Sequence, residues 1–113
     1  IFVGIKKNDV LSFKGIPYAK PPIGNLRWKR PILLENSNKV YQAYYFGKSP
    51  IQTEIESELG SYYPQSEDCL KLNIWLNTKN ESTDKTVMVF IHGGSYGWGG
   101  TSDPLYDMCI KMD

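Results

Sequence analysis

Hydrophobic positions in this chain fall into short runs that are broken often by Gly, Pro and polar clusters. Ile1 to Ile5 and Val10 to Ile16 have the β-branched, partly alternating character of short strands, with the polar turn Lys6 to Asp9 between them. Ile16 to Pro31 holds four prolines and one glycine and reads as an ordered but irregular loop. Val40 to Phe46 is aromatic and β-prone, which predicts another strand. Ser49-Pro50-Ile51-Gln52 has the form of a helix start with a capping box. Ile51, Ile55 and Leu59 follow on one helical face, and Gly60 supplies a stop. Leu70, Leu72, Ile74 and Leu76 alternate with Lys71, Asn73 and Trp75, predicting a strand with the aliphatic set as its buried face. Thr86 to Ile91 is continuously apolar and rich in β-branched residues, as in a strand covered on both faces.

Near the end, Ser102-Asp103-Pro104 offers a cap followed by Pro at the first helical position. Leu105, Met108, Cys109 and Met112 then recur at helical spacing. That stripe needs a partner surface, yet Asp113 follows its last member directly, and the first residue is Ile1. The expectation is therefore that residues 1–113 form the N-terminal part of a single larger domain, truncated at both ends.

Charge adds little. Thirteen basic and 12 acidic residues give a net charge of +1, spread along the chain, so nothing favours nucleic acid or an anionic membrane as partner. The longest apolar run, Val87 to Ile91, is far below the roughly 20 residues a membrane-spanning helix needs. Cys69 and Cys109 are too few for a disulfide framework and lack metal-ligand spacing. The single histidine, His92, cannot build a histidine metal site, so neither metal nor cofactor is expected. Asn80-Glu81-Ser82 is an N-glycosylation sequon, which points weakly to a secreted or extracellular protein.

The chemistry concentrates in His92-Gly93-Gly94-Ser95-Tyr96-Gly97-Trp98-Gly99-Gly100, directly after the apolar run. Five glycines here permit unusual backbone conformations and close approach of a ligand. Such a loop can aim successive N–H groups at a developing oxyanion. It can equally be a tight turn that needs glycine for shape alone. Gly93-Gly94-Ser95-Tyr96-Gly97 also matches the G-x-S-x-G form of a nucleophile elbow. That motif requires a helix next and a histidine later in the chain, whereas Gly97-Trp98-Gly99-Gly100 follows and no histidine does. Ser95 is not the nucleophile on this reading.

Three blocks carry a family resemblance. Phe13-Lys14-Gly15-Ile16-Pro17-Tyr18-Ala19-Lys20-Pro21-Pro22-Ile23-Gly24-Asn25-Leu26-Arg27-Trp28 resembles the F-x-G-I-P-Y-A-x-P-P-x-G-x-L-R-F/W block of type-B carboxylesterases and cholinesterases. Ser66-Glu67-Asp68-Cys69-Leu70-Lys71-Leu72-Asn73-Ile74-Trp75 resembles their S-E-D-C-L-Y-L-N-x-W block, and Val87 to Tyr96 their strand followed by H-G-G-G-F. The resemblance implies the N-terminal portion of an α/β-hydrolase, an α/β fold represented here by short strands and loops. It implies that the nucleophilic serine, the acid and the catalytic histidine lie beyond Asp113. It assigns the backbone N–H groups of Gly94 and Ser95 to an oxyanion hole, with His92 and Gly93 as supporting loop, and pairs Arg27 with Glu67 in a structural salt bridge.

The departures from the pattern are specific. Ser95 replaces the third glycine of H-G-G-G, and Lys71 replaces a tyrosine. Pro50 stands where the family's C-x-Q context places the partner of the S-E-D-C cysteine, so Cys69 is expected to be a reduced, mostly buried thiol. No tryptophan lies between Pro50 and Cys69, which argues against a choline-ester specialist. The function implied is a carboxylic ester hydrolase acting on a small-molecule ester, inactive as this piece alone. The alternative is a catalytically inactive neuroligin-like adhesion protein of the same fold with a protein partner, since such proteins often carry His-Gly-Gly-Ser-Tyr, the form of residues 92–96.

Overall fold

The computed structural model of the chain describes residues 1–53, 64–79 and 83–107. The described residues form five strands: β1 (Phe2–Val3), β2 (Ile5–Lys7), β3 (Val10–Pro17), β4 (Tyr41–Gln42) and β5 (Lys71–Asn77). β2, β3 and β5 form an antiparallel sheet in that order, while β1 and β4 pair in parallel. The β2–β3 hairpin closes through Asn8 and Asp9, with Lys7 opposite Val10. Asn8 takes φ 52°, a left-handed conformation that asparagine tolerates and tight hairpins require. Among the described residues Val10, Ile16, Ala19 and Ala43 are buried apolar side chains, joined by the buried Ser12.

The register of β3 against β5 slips between Phe13 and Ile16. Gly15 sits in this bulge at φ +67°, and a Cβ there would lie 2.6 Å from the carbonyl oxygen of Tyr45. Two side chains satisfy the displaced backbone: Gly15 N–H donates to Asn73 Oδ1 at 2.9 Å, and Tyr41 Oη donates to the Gly15 carbonyl at 2.9 Å. The bulge thus ties β3 to both neighbouring segments.

Several expectations are corrected. The strand anticipated over 40–46 is confined to Tyr41–Gln42, because its partner β1 is only two residues long. Ser49 does not start a helix: its N–H and C=O are committed to Pro64 and Ser66 in a parallel bridge to the 64–66 segment. The remainder of that expected helix, from 54 to its stop at Gly60, lies outside the described residues, as do the sequon at 80–82 and the stripe from Met108 to Met112 with Cys109. The chain does enter a 3₁₀ turn at Pro104, over Pro104–Tyr106. β5 alternates as its sequence predicts, but the face differs. Ile74 and Leu76 are exposed, whereas Trp75 is half-buried against Phe46, with ring centroids 6.4 Å apart. Asn73 is on the inner side because the bulge needs its amide. Val87 to Ile91 pairs with no strand among the described residues and is open, with Val87, Val89 and Ile91 each more than 80% exposed.

Candidate active site

The glycine loop begins at His92. Its Nδ1 lies 2.7 Å from the carbonyl oxygen of Gly93, and its ring stacks on Tyr106 at 6.2 Å. Tyr106 also packs on Phe90, so its ring joins the end of the apolar run to the loop's entry. No hydrogen bond among the described residues joins His92 to Ser95, so His92 is not set as a base for that hydroxyl.

From Gly94 the chain reverses. Ser95 and Tyr96 adopt φ 52° and 61°, and the Gly97 N–H donates to the Gly94 carbonyl at 2.9 Å. Two central residues of positive φ closed by that bond make a type I′ turn. Trp98 N–H donates to the same carbonyl at 3.1 Å. Neither serine nor tyrosine favours this region, and Tyr96 is fully exposed, so no burial of its ring compensates the strain. Gly94 itself has φ +127°, and a Cβ there would collide with the Trp98 carbonyl oxygen. Glycine is obligatory at 94 on both counts.

The amide N–H groups of Gly94 and Ser95 make no hydrogen bond to any described residue. Adjacent N–H groups held by a strained turn, with no internal acceptor, are chemically suited to an anionic oxygen.

The loop's exit is held from elsewhere in the chain. Gly99 N–H donates to Gln52 Oε1 at 2.6 Å, and Gln52 Nε2 donates to the Gly99 carbonyl at 2.9 Å. Gln52 Nε2 also reaches the Pro50 carbonyl, and the Gln52 N–H donates to Gln65 Oε1 at 2.9 Å. Asn73 Nδ2 lies 3.4 Å from the Thr101 carbonyl, a second tether from β5. Gln52 and Asn73 escaped the sequence reading as loop partners. Gln52 could be read only as the second residue of a capping box or the Gln of a C-x-Q context, and neither gives its target.

The first loop and the Ser66–Cys69 segment meet through one ion pair, Arg27 Nε and Glu67 Oε1 at 2.5 Å, while Lys71 Nζ, 2.9 Å from Asp68 Oδ1, makes a local pair at the end of the second segment. The Arg27 and Glu67 side chains are 54% and 41% exposed, so this is a surface pair and not a buried one. Cys69 is a free thiol, half-buried instead of mostly buried. Burial pushes its pKa up, aided by the Asp68 and Glu67 carboxylates and opposed by a backbone hydrogen bond and by Lys71. Burial likewise raises the Tyr18 phenol, with a smaller contribution from Cys69. Among the described residues no three His, Cys, Asp or Glu side chains group as metal ligands, and no helix is long and apolar enough to cross a membrane.

The backbone trace that carries this glycine loop is part of an α/β-hydrolase. The trace superposes on a thermophilic PNB esterase with a TM-score of 0.84 at 39% identity, covering 94% of this chain and 22% of that one. The carboxylesterase family model matches residues 3–110, and the chain belongs to that family. It is 42% identical over 106 residues to the para-nitrobenzyl esterase of Bacillus subtilis, covering 92% of this chain and 22% of that protein. It is 38% identical over 106 residues to the cholinesterase of Mus musculus, covering 87% of this chain and 17% of that protein. The chain thus spans about a fifth of the length of these relatives.

Proposed function

We propose that residues 1–113 are the N-terminal piece of a carboxylic ester hydrolase acting on small-molecule esters, and that they supply its oxyanion loop but not its nucleophile. The supporting observation is the pair of N–H groups at Gly94 and Ser95, which no described residue accepts, on a turn that glycine at 94 makes possible. In this reading a serine beyond residue 113 attacks the ester carbonyl. A histidine–acid pair, also beyond it, takes the serine proton and returns it to the leaving alcohol. The carbonyl oxygen becomes anionic in the tetrahedral intermediate and is stabilised by the Gly94 and Ser95 N–H groups and one further donor. Collapse gives an acyl-enzyme, which water hydrolyses by the same route. His92 and Gly93 shape the loop and take no proton. The protein is further proposed to be secreted, with glycan at Asn80.

The intact protein is expected to release p-nitrophenol from a simple p-nitrophenyl ester, and residues 1–113 alone to release none above the buffer rate. Gly94→Val introduces a branched Cβ where the Trp98 carbonyl already sits. Loss of one oxyanion donor typically costs about 10²–10³ in kcat, so kcat should fall by that order with a smaller change in KM. A folded, intact protein without esterase activity would favour the adhesion reading instead.

A further inference from the structure

We propose that Gln52 is a positioning residue for the oxyanion loop: its side-chain amide fixes the orientation of the Trp98–Gly99 peptide, and that peptide in turn holds Gly94. The inference rests on the ester-hydrolase reading only for its kinetic consequence. A trans peptide is planar, with its N–H and C=O pointing in opposite directions. The Gly99 N–H points to Gln52 Oε1 at 2.6 Å, so the Trp98 carbonyl must point away from Gln52. The side to which it points is occupied by Gly94, whose missing Cβ would fall on that oxygen. Gln52 also receives no freedom to rotate: Nε2 is shared between the carbonyls of Gly99 and Pro50, and its own N–H is held by Gln65. A flipped Trp98–Gly99 peptide would forfeit the Oε1 bond and aim an N–H at Gly94 in place of a carbonyl. Gly99 is buried and packs against the His92 ring and the Gly93 carbonyl, with a Cβ at 99 falling 3.2 Å from His92 Nδ1 and 3.0 Å from Gly93 O. The clamp therefore bears on the loop's entry and exit at once.

The test uses the intact protein with Gln52→Met, which keeps the side chain's length and removes both hydrogen-bonding arms, and Gln52→Glu, which keeps an acceptor for the Gly99 N–H. Steady-state kinetics on a p-nitrophenyl ester and affinity for a trifluoromethyl ketone, which forms a tetrahedral adduct, are measured beside amide hydrogen exchange of residues 92–100. A displaced oxyanion loop is expected to lower kcat on the order of 10- to 100-fold with KM within about threefold. Ketone affinity should weaken in parallel, exchange at Gly99 should quicken, and the thermal midpoint should stay near that of the parent. Gln52→Glu should fall between parent and Gln52→Met. If Gln52→Met keeps kcat and Gly99 protection within twofold, or if kcat falls only in proportion to lost folded protein, the proposal is overturned. If the parent protein itself turns over no ester, the hydrolase reading fails, and exchange at Gly99 still decides whether Gln52 orients the loop.

Discussion

At the scale of single residues, two groups near the Ser66–Cys69 segment give opposite lessons about charge. Arg27 and Glu67 are in direct contact yet about half exposed, so solvent screens the pair. A double-mutant cycle with Arg27→Ala and Glu67→Ala should return a coupling of about 0.2–1 kcal/mol, the surface scale, and not the 3–5 kcal/mol of a broken buried pair. A coupling of several kcal/mol in urea titrations would show that the intact protein covers the pair. Cys69, by contrast, is perturbed mainly by burial, which favours the neutral thiol and raises its pKa. The folded state therefore gains nothing from this group once it ionises: its contribution is full below the ordinary thiol pKa and is lost as pH rises through the raised one. In a Cys109→Ser background, Cys69 should react with Ellman's reagent more slowly than glutathione at pH 8, and its rate should climb at higher pH than glutathione's. Equal rates would refute the shielding.

Among the elements, the β3 bulge links the sheet to the candidate site. Asn73 accepts from Gly15 N–H with one end of its amide and reaches the Thr101 carbonyl with the other. Gly15→Ala forces an L-residue to φ +67° and sets a Cβ 2.6 Å from Tyr45 O. The left-handed conformation alone costs about 1–2 kcal/mol, so the urea midpoint should fall by more than that equivalent. An unchanged midpoint would mean the bulge relaxes freely. The same region shows what sequence could and could not disclose. The β2–β3 hairpin was legible in outline, because a polar turn between two β-prone runs is local information. The turn expected over Lys6 to Asp9 is only Asn8 and Asp9, however, and the strand expected over Ile1 to Ile5 divides into β1, paired with β4, and β2, which runs on to Lys7. β5 was legible as a strand, but its inner face was not. That face is chosen by a bulge on another strand, which recruits Asn73 and leaves Ile74 and Leu76 outside. Ser49 carried every local sign of a helix cap and became a bridge residue through Pro64 and Ser66, fifteen and more positions away. The glycine loop stood out by composition, whereas its clamp did not, because Gln52 meets Gly99 across 47 residues.

For the molecule as a whole, the decisive observation is the apolar run from Val87 to Ile91. Val87, Met88, Val89, Phe90 and Ile91 are 82%, 78%, 81%, 54% and 85% exposed. Burying one such side chain is worth roughly 1.5–3 kcal/mol, so leaving five in water is a large liability for a chain of this size. The run is also β-branched, uncharged and free of proline, which makes it a template for pairing with other chains. Since the chain spans 22% of the Bacillus subtilis esterase it resembles, the proposed occupant of this surface is the remainder of the same domain. Residues 1–113 expressed alone should therefore bind an environment-sensitive hydrophobic dye and self-associate in analytical ultracentrifugation. Val89→Lys places a charge in the middle of the exposed run and should reduce that association. In the intact protein the same substitution puts an unpaired charge into a covered strand. It should then be strongly destabilising or prevent folding, the reverse of its benefit in the isolated piece. A dye-silent, monomeric 1–113, or an intact protein indifferent to Val89→Lys, would show that the run is a free surface and that no larger domain closes over it.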